Sequence, residues 1–377
     1  GSVQVLGGSP KFVNNTFSGS RATWGGAVAL FDPVAAEFSG NVFDGSTCVN
    51  PADGNFGAAV YIDGGAVSFD GDVFTANGST WRGAGLYGMN ATVAMTGVMA
   101  SGNTSQNDGG MVYLDGGGLT VAASRFDANT ATTGSGAGLS VSNATLDVRN
   151  SEFTGNTAGV AGGGVRLQGA GTTVVENCVF HGNSDGSSMG AAFLLGDGPM
   201  TFRNNAVTSN SGGVGGSMTT GSLTYSTFWD NGGTDYTGFT PGTGVIQADP
   251  LYKDPAAGLF GLLVHSPCID AGDADGSCTD PDGTVNDMGC LGGPAAMTVA
   301  PEPPSNVRFE SPGGVSTLMW DASTAGDLDR YVVYKDAVAS LPLGAAQVVA
   351  EVSGPATSVA LEQTGGDLRV DAVQSLH

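Results

Sequence analysis

The sequence predicts an all-β fold, in which a parallel β-helix of about nine coils precedes a small β-sandwich. Three observations predict it. Two short motifs recur in phase every 26–27 residues, the runs between them alternate apolar and polar residues, and no stretch has a helical period. Gly provides 64 of 377 residues without a three-residue period, and 40% of the residues are hydrophobic, which excludes collagen and disorder.

The first motif is a run of tiny residues followed by an apolar residue, as in "GGAVAL" at 25, "GAGLYG" at 83 and "GGGVRL" at 162. Gly allows the tight turns and close coil contacts that such stacking requires. The apolar residues are expected to point inward and to stack from coil to coil. They are Val28, Val60, Leu86, Val112, Leu139, Val165, Phe193 and Met218.

The second motif is F-x-x-N, as in "FTAN" at 74, "FDAN" at 126, "FTGN" at 153, "FHGN" at 180 and "FWDN" at 228. We expect each Phe to stack on its copies inside the helix. Each Asn should begin a turn and form a ladder along the helix axis through its amide. Coils spaced at about 4.8 Å would make a rod of roughly 43 Å over residues 1–246.

The paired motifs resemble the repeats of chlamydial polymorphic outer-membrane proteins. The resemblance covers about residues 10–235 and implies a right-handed β-helix on a cell surface, a class that includes several adhesins. It departs from that family because no C-terminal transporter barrel follows the repeats in this sequence. The resemblance therefore implies a surface scaffold and leaves its route to the surface open.

Residues 247–294 resemble the closing segment of secreted bacterial β-helix proteins, through "ADPLY", "SPCIDAG", "DADG" and "DMG". We expect this segment to cap the last coil, because an uncovered coil would be an open sheet edge.

The same segment is acidic and contains three cysteines. Carboxylates at alternate positions among Gly turns suit a calcium ion, whereas Asx turns with solvated carboxylates are the alternative. Cys268, Cys278 and Cys290 could form one disulfide in an oxidising compartment and leave one thiol. The candidate calcium ligands are Asp273, Asp275, Asp280, Asp282 and Asp287.

A Pro-rich linker is predicted at 295–304, followed by a domain at 305–377 that alternates with period two. Trp320 and Tyr331 stand where a fibronectin type III domain has its core Trp and a strand Tyr, so this region resembles that domain. Its length is short for such a sandwich, and a truncated domain is expected.

Net charge and hydropathy limit the partners. The net charge is −23 with only 12 Lys and Arg residues, which disfavours nucleic acid. No apolar run is long enough to span a membrane. We expect an extracellular or bacterial cell-surface location, as part of a larger anchored polypeptide, with an extracellular glycan or protein as ligand.

The predicted binding site is a strip of tyrosines. Tyr61, Tyr87 and Tyr113 follow the inward apolar residue on three consecutive coils, so they should point outward from one face, with Arg166 two coils further on. Exposed Tyr rings suit sugars or protein surfaces. The alternative is that stacked Tyr rings only stabilise the sheet.

The main alternative function is a polysaccharide lyase or glycoside hydrolase. Asp63 and Asp115 share one repeat position two coils apart, at roughly 10 Å, which is near the separation of an inverting carboxylate pair. Arg166 is the candidate charge clamp. A third possibility is a structural spacer. The sequence favours an adhesin or recognition scaffold over both.

Overall fold

The computed structural model describes residues 3–48, 56–169, 171–187, 190, 192–196, 198–216, 221–263, 265–281, 283–294 and 296, together with strands between residues 305 and 374. The chain divides into two compact units. One comprises Gly1–Pro250, Pro267–Asp280 and Val285–Met297, and the other comprises Leu251–Ser266, Pro281–Thr284 and Thr298–His377. No α-helix occurs among the described residues.

The first unit is a parallel β-helix, as the repeats predict. Each coil has up to four short strands. The first and second strands of the coils form one 16-stranded sheet, the third strands a 9-stranded sheet and the fourth strands a 7-stranded sheet. Nine third strands make eight steps from coil to coil, so the helix has about eight turns. The short strands follow from the frequent Gly and Asn residues, which turn the chain at each corner.

Three strands of 11 residues each span the first and second positions of their coils. The first strands are Val3–Leu6, Val28–Phe31, Val60–Asp63, Leu86–Thr96, Val112–Ala122, Leu139–Arg149, Val165–Gln168, Phe193–Leu195, Val214–Gly216 and Tyr236–Thr237. The separate second strands are Lys11–Val13, Ala36–Ser39, Ala66–Asp70, Thr173–Glu176, Met200–Arg203 and Gly221–Thr224.

The third and fourth strands are shorter. The third strands are Thr16–Ser18, Val42–Asp44, Val73–Thr75, Met99–Ser101, Arg125–Asp127, Glu152–Thr154, Val179–His181, Ala206–Thr208 and Thr227–Trp229. The fourth strands are Arg21–Ala22, Thr47–Cys48, Gly78–Ser79, Thr104–Ser105, Thr130–Ala131, Thr157–Ala158 and Ser184–Asp185.

The inward apolar residues pair from coil to coil as predicted, with one correction. Val28 pairs with Val60, and the alignment continues in register to Phe193. Phe193 then pairs with Val214 instead of Met218, which lies outside the described residues. The prediction assumed a constant coil length, whereas this coil is shorter than the others.

Phenylalanine rings stack inside the helix. The rings of Phe43 and Phe74 lie 4.6 Å apart, and those of Phe126 and Phe153 lie 5.0 Å apart. Ala100 occupies the same position between these two stacks and is 1% exposed. The core is therefore a set of side-chain columns that run along the axis, and identical rings pack at the spacing of the coils.

The asparagines of F-x-x-N, with Asn103 and Asn210 at the same repeat position, form a continuous ladder that is buried up to its last member, Asn231. In each step the backbone N and the side-chain Nδ2 both donate to Oδ1 of the next Asn, at 2.8–3.1 Å. Nδ2 also donates to a carbonyl of the preceding coil, as from Asn156 to Phe126 at 2.9 Å. From Asn103 onward, both acceptor positions and both donor positions of each amide are thus used. The members are Asn77, Asn103, Asn129, Asn156, Asn183, Asn210 and Asn231.

A second, shorter ladder lies at the turn before the third strands. Asn15 donates to Asn41, and Asn41 donates through its backbone N and Nδ2 to Oδ1 of Asp72 at 2.7 and 2.8 Å. The other Asp72 oxygen accepts the backbone N–H of Asp70 at 3.0 Å. Burial raises the pKa of the Asp72 carboxyl, and the hydrogen bonds from Asn41 partly offset that rise. The third member of this ladder is therefore an acidic residue, Asp72, and not an Asn.

The second unit contains antiparallel strands. Tyr252–Asp254 pairs with Leu259–Leu262 around the 3-10 turn Pro255–Ala257. Six further strands form two antiparallel sheets of three strands each. Trp320 and Tyr331 lie in two of these strands. The fibronectin type III resemblance, the linker at 295–304 and the boundaries at 246 and 294 stay predictions. The six strands are Ser305–Glu310, Thr317–Asp321, Leu328–Asp336, Gln347–Ser353, Ser358–Ala360 and Asp367–Gln374.

We expect Asn156→Ala to lower the free energy of unfolding by about 3 kcal/mol, because it leaves the buried N–H groups of Asn129 without an acceptor. Chemical denaturation followed by circular dichroism measures this loss. Gln106→Ala, at an exposed amide, is the control. An equal loss in both variants would contradict a special role for the ladder.

We expect Asp72→Asn to remove the pH dependence that this carboxyl gives to the free energy of unfolding, and to lose the hydrogen bond from the Asp70 N–H, which an amide nitrogen cannot accept. Burial raises the carboxyl pKa, so its contribution to stability is full below the unfolded pKa and is lost as pH rises through the folded pKa. The free energy of unfolding of the variant should therefore fall relative to that of the wild type on acidification. Urea titrations at several pH values test this, and a variant whose relative stability rises on acidification would refute it.

Candidate binding face

The three predicted tyrosines form one column. Tyr61 pairs with Tyr87, and Tyr87 pairs with Tyr113, on consecutive first strands. Their ring centroids lie 5.7 and 5.4 Å apart, and the ring planes differ by 2° and 13°. The spacing of the repeats therefore predicts their alignment correctly.

The predicted exposure of these tyrosines is wrong. Tyr61, Tyr87 and Tyr113 are only 6%, 7% and 4% exposed. They point out of the coil but belong to a second apolar cluster on the outer side of the sheet. The stabilising alternative therefore describes their role better than direct contact with a ligand.

A row of residues at the preceding corner covers the tyrosines. Trp24, Phe56 and Arg82 stand just before the small-residue run of three consecutive coils and are aligned by backbone bridges. We call these three residues the corner row. Each packs on the Tyr of the next coil, so that two layers interlock.

The contacts of the corner row are specific. The Trp24 ring stacks on Tyr61 at 5.8 Å with 19° between the planes, and Phe56 lies 4.4 Å from the Tyr87 ring. The Arg82 guanidinium lies 4.6 Å from the centroid of the Tyr113 ring and donates to its hydroxyl at 3.0 Å. Stacking and cation–π contacts of this kind hold the outer rings in fixed orientations.

The hydroxyls of Tyr61 and Tyr87 stay protonated over the physiological range. Burial, followed by the neighbouring tyrosines and Asp115, raises the pKa of Tyr87 to about 12. Burial and then Asp63 raise the pKa of Tyr61. These two side chains are therefore neutral supports.

Two tryptophans at this corner present their rings to solvent. Trp24 is 45% exposed and Trp81, the residue before Arg82, is 43% exposed. The sequence contained their signal in "TWGGAV", "NFGAAV" and "WRGAGL", where a large side chain precedes each small-residue run. The exposed aromatic surface of this face is thus made of Trp24 and Trp81 and not of the tyrosines.

The candidate catalytic residues are not brought together into one site by the contacts that the structure describes. Asp63 and Asp115 both pair with Met89, so they share one position two coils apart, as predicted. Asp115 accepts from Asn143 at 3.1 Å, while Arg166 donates to Gln168 at 2.7 Å. No contact described in the structure joins Arg166 to either carboxylate. Their catalytic role stays a prediction without a supporting contact.

Four of the five candidate calcium ligands can be located, and their oxygens bind groups of the protein. Asp280 accepts the backbone N–H groups of Asp287 and Gly293. Asp287 accepts from the backbone of Asp270, and Asp273 from that of Asp275.

Asp275 in turn accepts from Ser277, and Asp282 lies outside the described residues. Nowhere in the described ranges do three metal-ligating side chains converge on one point. The described carboxylates form Asx-type turns, and calcium stays a prediction.

The cysteines are all in the thiol form, so the expected bridge within Cys268, Cys278 and Cys290 is not formed. Cys290 is 1% exposed, and its Sγ donates to Glu152 Oε1 at 3.5 Å. Burial, with Glu152 next, raises the pKa of Cys290 well above the usual value, which keeps it an unreactive thiol.

Residues 267–280 and 285–297, which we call the closing segment, bind the flank of the β-helix through asparagines. Asn150 Nδ2 donates to the carbonyls of Cys290 and Gly292 at 3.1 and 2.7 Å. One coil further, Asn177 Nδ2 donates to the carbonyl of Asp287 at 3.0 Å and to Asn286 Oδ1 at 2.7 Å.

The next coil supplies a third anchor. Asn204 Oδ1 accepts the backbone N–H of Asp273 at 2.8 Å, and Arg203 forms an ion pair with Asp273 at 2.9 Å. The closing segment therefore lies along the side of the helix, and the cap expected over residues 247–294 stays a prediction. The backbone of residues 242–246 pairs with the last coil, as from Ile246 to Ser226 at 3.0 Å.

The three anchoring asparagines share a left-handed backbone conformation, with φ between 46° and 58°. Asn adopts this conformation more readily than most residues. Asn14 of the first coil has the same conformation at this turn, whereas the four coils between have Gly40, Gly71, Gly97 and Ala123 there. Asn150, Asn177 and Asn204 thus present an amide at this turn on three consecutive coils, and the segment binds these coils.

A cavity of about 80 Å³ lies between the closing segment and the flank, lined in part by Arg149, Glu176, Arg203 and Cys278. Glu176 binds both guanidiniums, and Asp273 binds Arg203. The charged side chains that line the cavity are thus paired with one another, which favours a structural role for this cavity.

We expect Asn177→Gly to loosen the closing segment and leave the coils intact, since Gly keeps the left-handed turn but removes the amide donors. The free energy of unfolding should fall by about 2 kcal/mol, and amide exchange should rise at residues 286–292. Hydrogen exchange read by mass spectrometry detects this change.

Asn143→Gly, which changes an exposed left-handed Asn on the preceding coil, is the matched control. Unchanged exchange at residues 286–292 in the Asn177 variant would show that the amide does not anchor the segment.

Comparison with known proteins supports the fold. Residues 1–161 match a family model described as a right handed beta helix region, whereas no curated protein matches the chain. Among the described residues, no helix has the length and hydropathy needed to cross a bilayer. By its paired parallel strands and by this match over its first 161 residues, the chain is similar to right-handed parallel β-helix proteins.

Proposed function

We propose that this chain is a recognition scaffold, on a bacterial cell surface or secreted from it, that binds an extracellular carbohydrate on its side. The observation that carries the proposal is the pair of half-exposed tryptophans, Trp24 and Trp81, on a rigid face. An indole ring with one face in solvent offers apolar area to the C–H groups of a sugar.

The buried tyrosine column supports this role by fixing the platform. Trp24 stacks on Tyr61, and the cluster beneath continues through Tyr87 to Tyr113. A ring that is already held in place loses little conformational entropy when a ligand binds. The adhesin resemblance of the repeats agrees with such a role.

We expect the double variant Trp24→Ala, Trp81→Ala to lose at least about tenfold in affinity for the polysaccharides that the wild type retains. Affinity electrophoresis against a panel of polysaccharides and cell-surface glycans measures this loss. Trp229→Ala is a matched control, because Trp229 is also 43% exposed but lies on a third strand.

Two outcomes would contradict the proposal. Equal losses in the double variant and the Trp229 variant would show that the corner is not the binding site. Shortening of a retained polymer would indicate an enzyme and would direct attention to Asp63, Asp115 and Arg166.

A further inference from the structure

The two exposed tryptophans are arranged along the helix axis. Backbone bridges align Trp24 with Phe56 and Phe56 with Arg82, and Trp81 immediately precedes Arg82. Trp24 and Trp81 thus stand two coils apart on one corner. With coils spaced by about 4.8 Å, their separation along the axis is about 10 Å, or roughly two sugar rings in an extended chain.

The corner carries no net charge at its centre. Arg82 forms an ion pair with Asp108 at 3.2 Å, and its guanidinium also binds the Tyr113 hydroxyl at 3.0 Å. The two paired side chains are only 33% and 17% exposed. The cation nearest to Trp81 is therefore already satisfied by partners in the protein.

Neutral polar groups continue the corner beyond Trp81. The backbone N of Asn107 donates to the carbonyl of Trp81 at 2.8 Å, which places Asn107 next to Trp81 on the following coil. Thr133, one coil further, donates to the Gln106 carbonyl at 2.7 Å and to Asn107 Oδ1 at 3.2 Å. The Gln106 and Thr133 side chains are exposed. Amides and hydroxyls are the groups that bind sugar hydroxyls.

We propose that the ligand is a neutral, extended glycan that lies parallel to the helix axis along this corner. Its sugar rings stack on Trp24 and Trp81, and its hydroxyl groups bind Gln106, Asn107 and Thr133. This inference rests on the proposed function and adds the ligand class and its orientation.

The negative charge of the protein disfavours acidic glycans as ligands of this corner. The chain has a net charge of −23, and Asp63 and Asp115 lie on the same sheet as the tyrosine column. A uronic acid polymer would meet this field, and Arg82, the cation next to Trp81, is already paired with Asp108.

Titration calorimetry with β-linked glucose oligosaccharides, from the disaccharide to the hexasaccharide, tests the proposal. A parallel series of uronic acid oligosaccharides tests the charge preference. We expect affinity for the neutral series to rise about tenfold with length until the chain spans both tryptophans, and then to level off.

Variants separate the two platforms. Trp24→Leu keeps apolar bulk on Tyr61 but removes the indole, so it should abolish the gain with length and leave the disaccharide affinity unchanged. Asn107→Ala should lower the affinity for every neutral oligosaccharide by about threefold or more. Trp229→Ala should leave the whole series unchanged, and melting temperatures confirm that each variant is folded.

Affinity that is independent of length, or tighter binding of the uronic acid series, would overturn this inference while leaving a carbohydrate-binding face in place. Failure of the wild type to bind either series, or any glycan in the wider panel, would overturn the proposed function itself.

Discussion

Buried asparagine side chains tie each coil of the β-helix to the next, and the rest of the fold depends on them. An amide has two donor and two acceptor positions, and an interior ladder amide such as Asn156 uses all four, with the neighbouring amides and one backbone carbonyl. An amide out of register would leave polar atoms buried without partners, at a cost of about 1–3 kcal/mol per group. The F-x-x-N turn is therefore fixed, while the coils vary in length elsewhere, as between Phe193 and Val214.

The tyrosine column shows how a β-helix can build a rigid surface outside its core. Tyr61, Tyr87 and Tyr113 are buried although they point away from the interior, because the corner row folds over them from the preceding coil. This second layer converts a thin outer sheet into a supported platform. Trp24 then stands in solvent with its ring held on Tyr61, and the Trp81 ring lies 5.9 Å from the Arg82 guanidinium.

Periodicity allowed the sequence to predict what is local to a repeat. It identified the stacking of Phe126 on Phe153, the asparagine ladder and the alignment of the tyrosines, since each depends only on repeat spacing. It could not predict the burial of the tyrosines, which comes from side chains of another coil. Nor could it place the closing segment, because its contacts with Asn150 and Asn177 join residues more than 100 positions apart.

The asparagine ladder also gives the rod an electrical direction. In every step the amide oxygen faces the preceding coil and the amide nitrogen faces the following one, so the side-chain dipoles point the same way and polarise one another. Their partial positive charge accumulates towards the C-terminal coils. There the last amide, Asn231, donates to the carboxylate of Asp235 at 2.9 Å. A negative charge thus terminates the row of dipoles at its positive end, as an acidic residue does at the N-terminus of an α-helix.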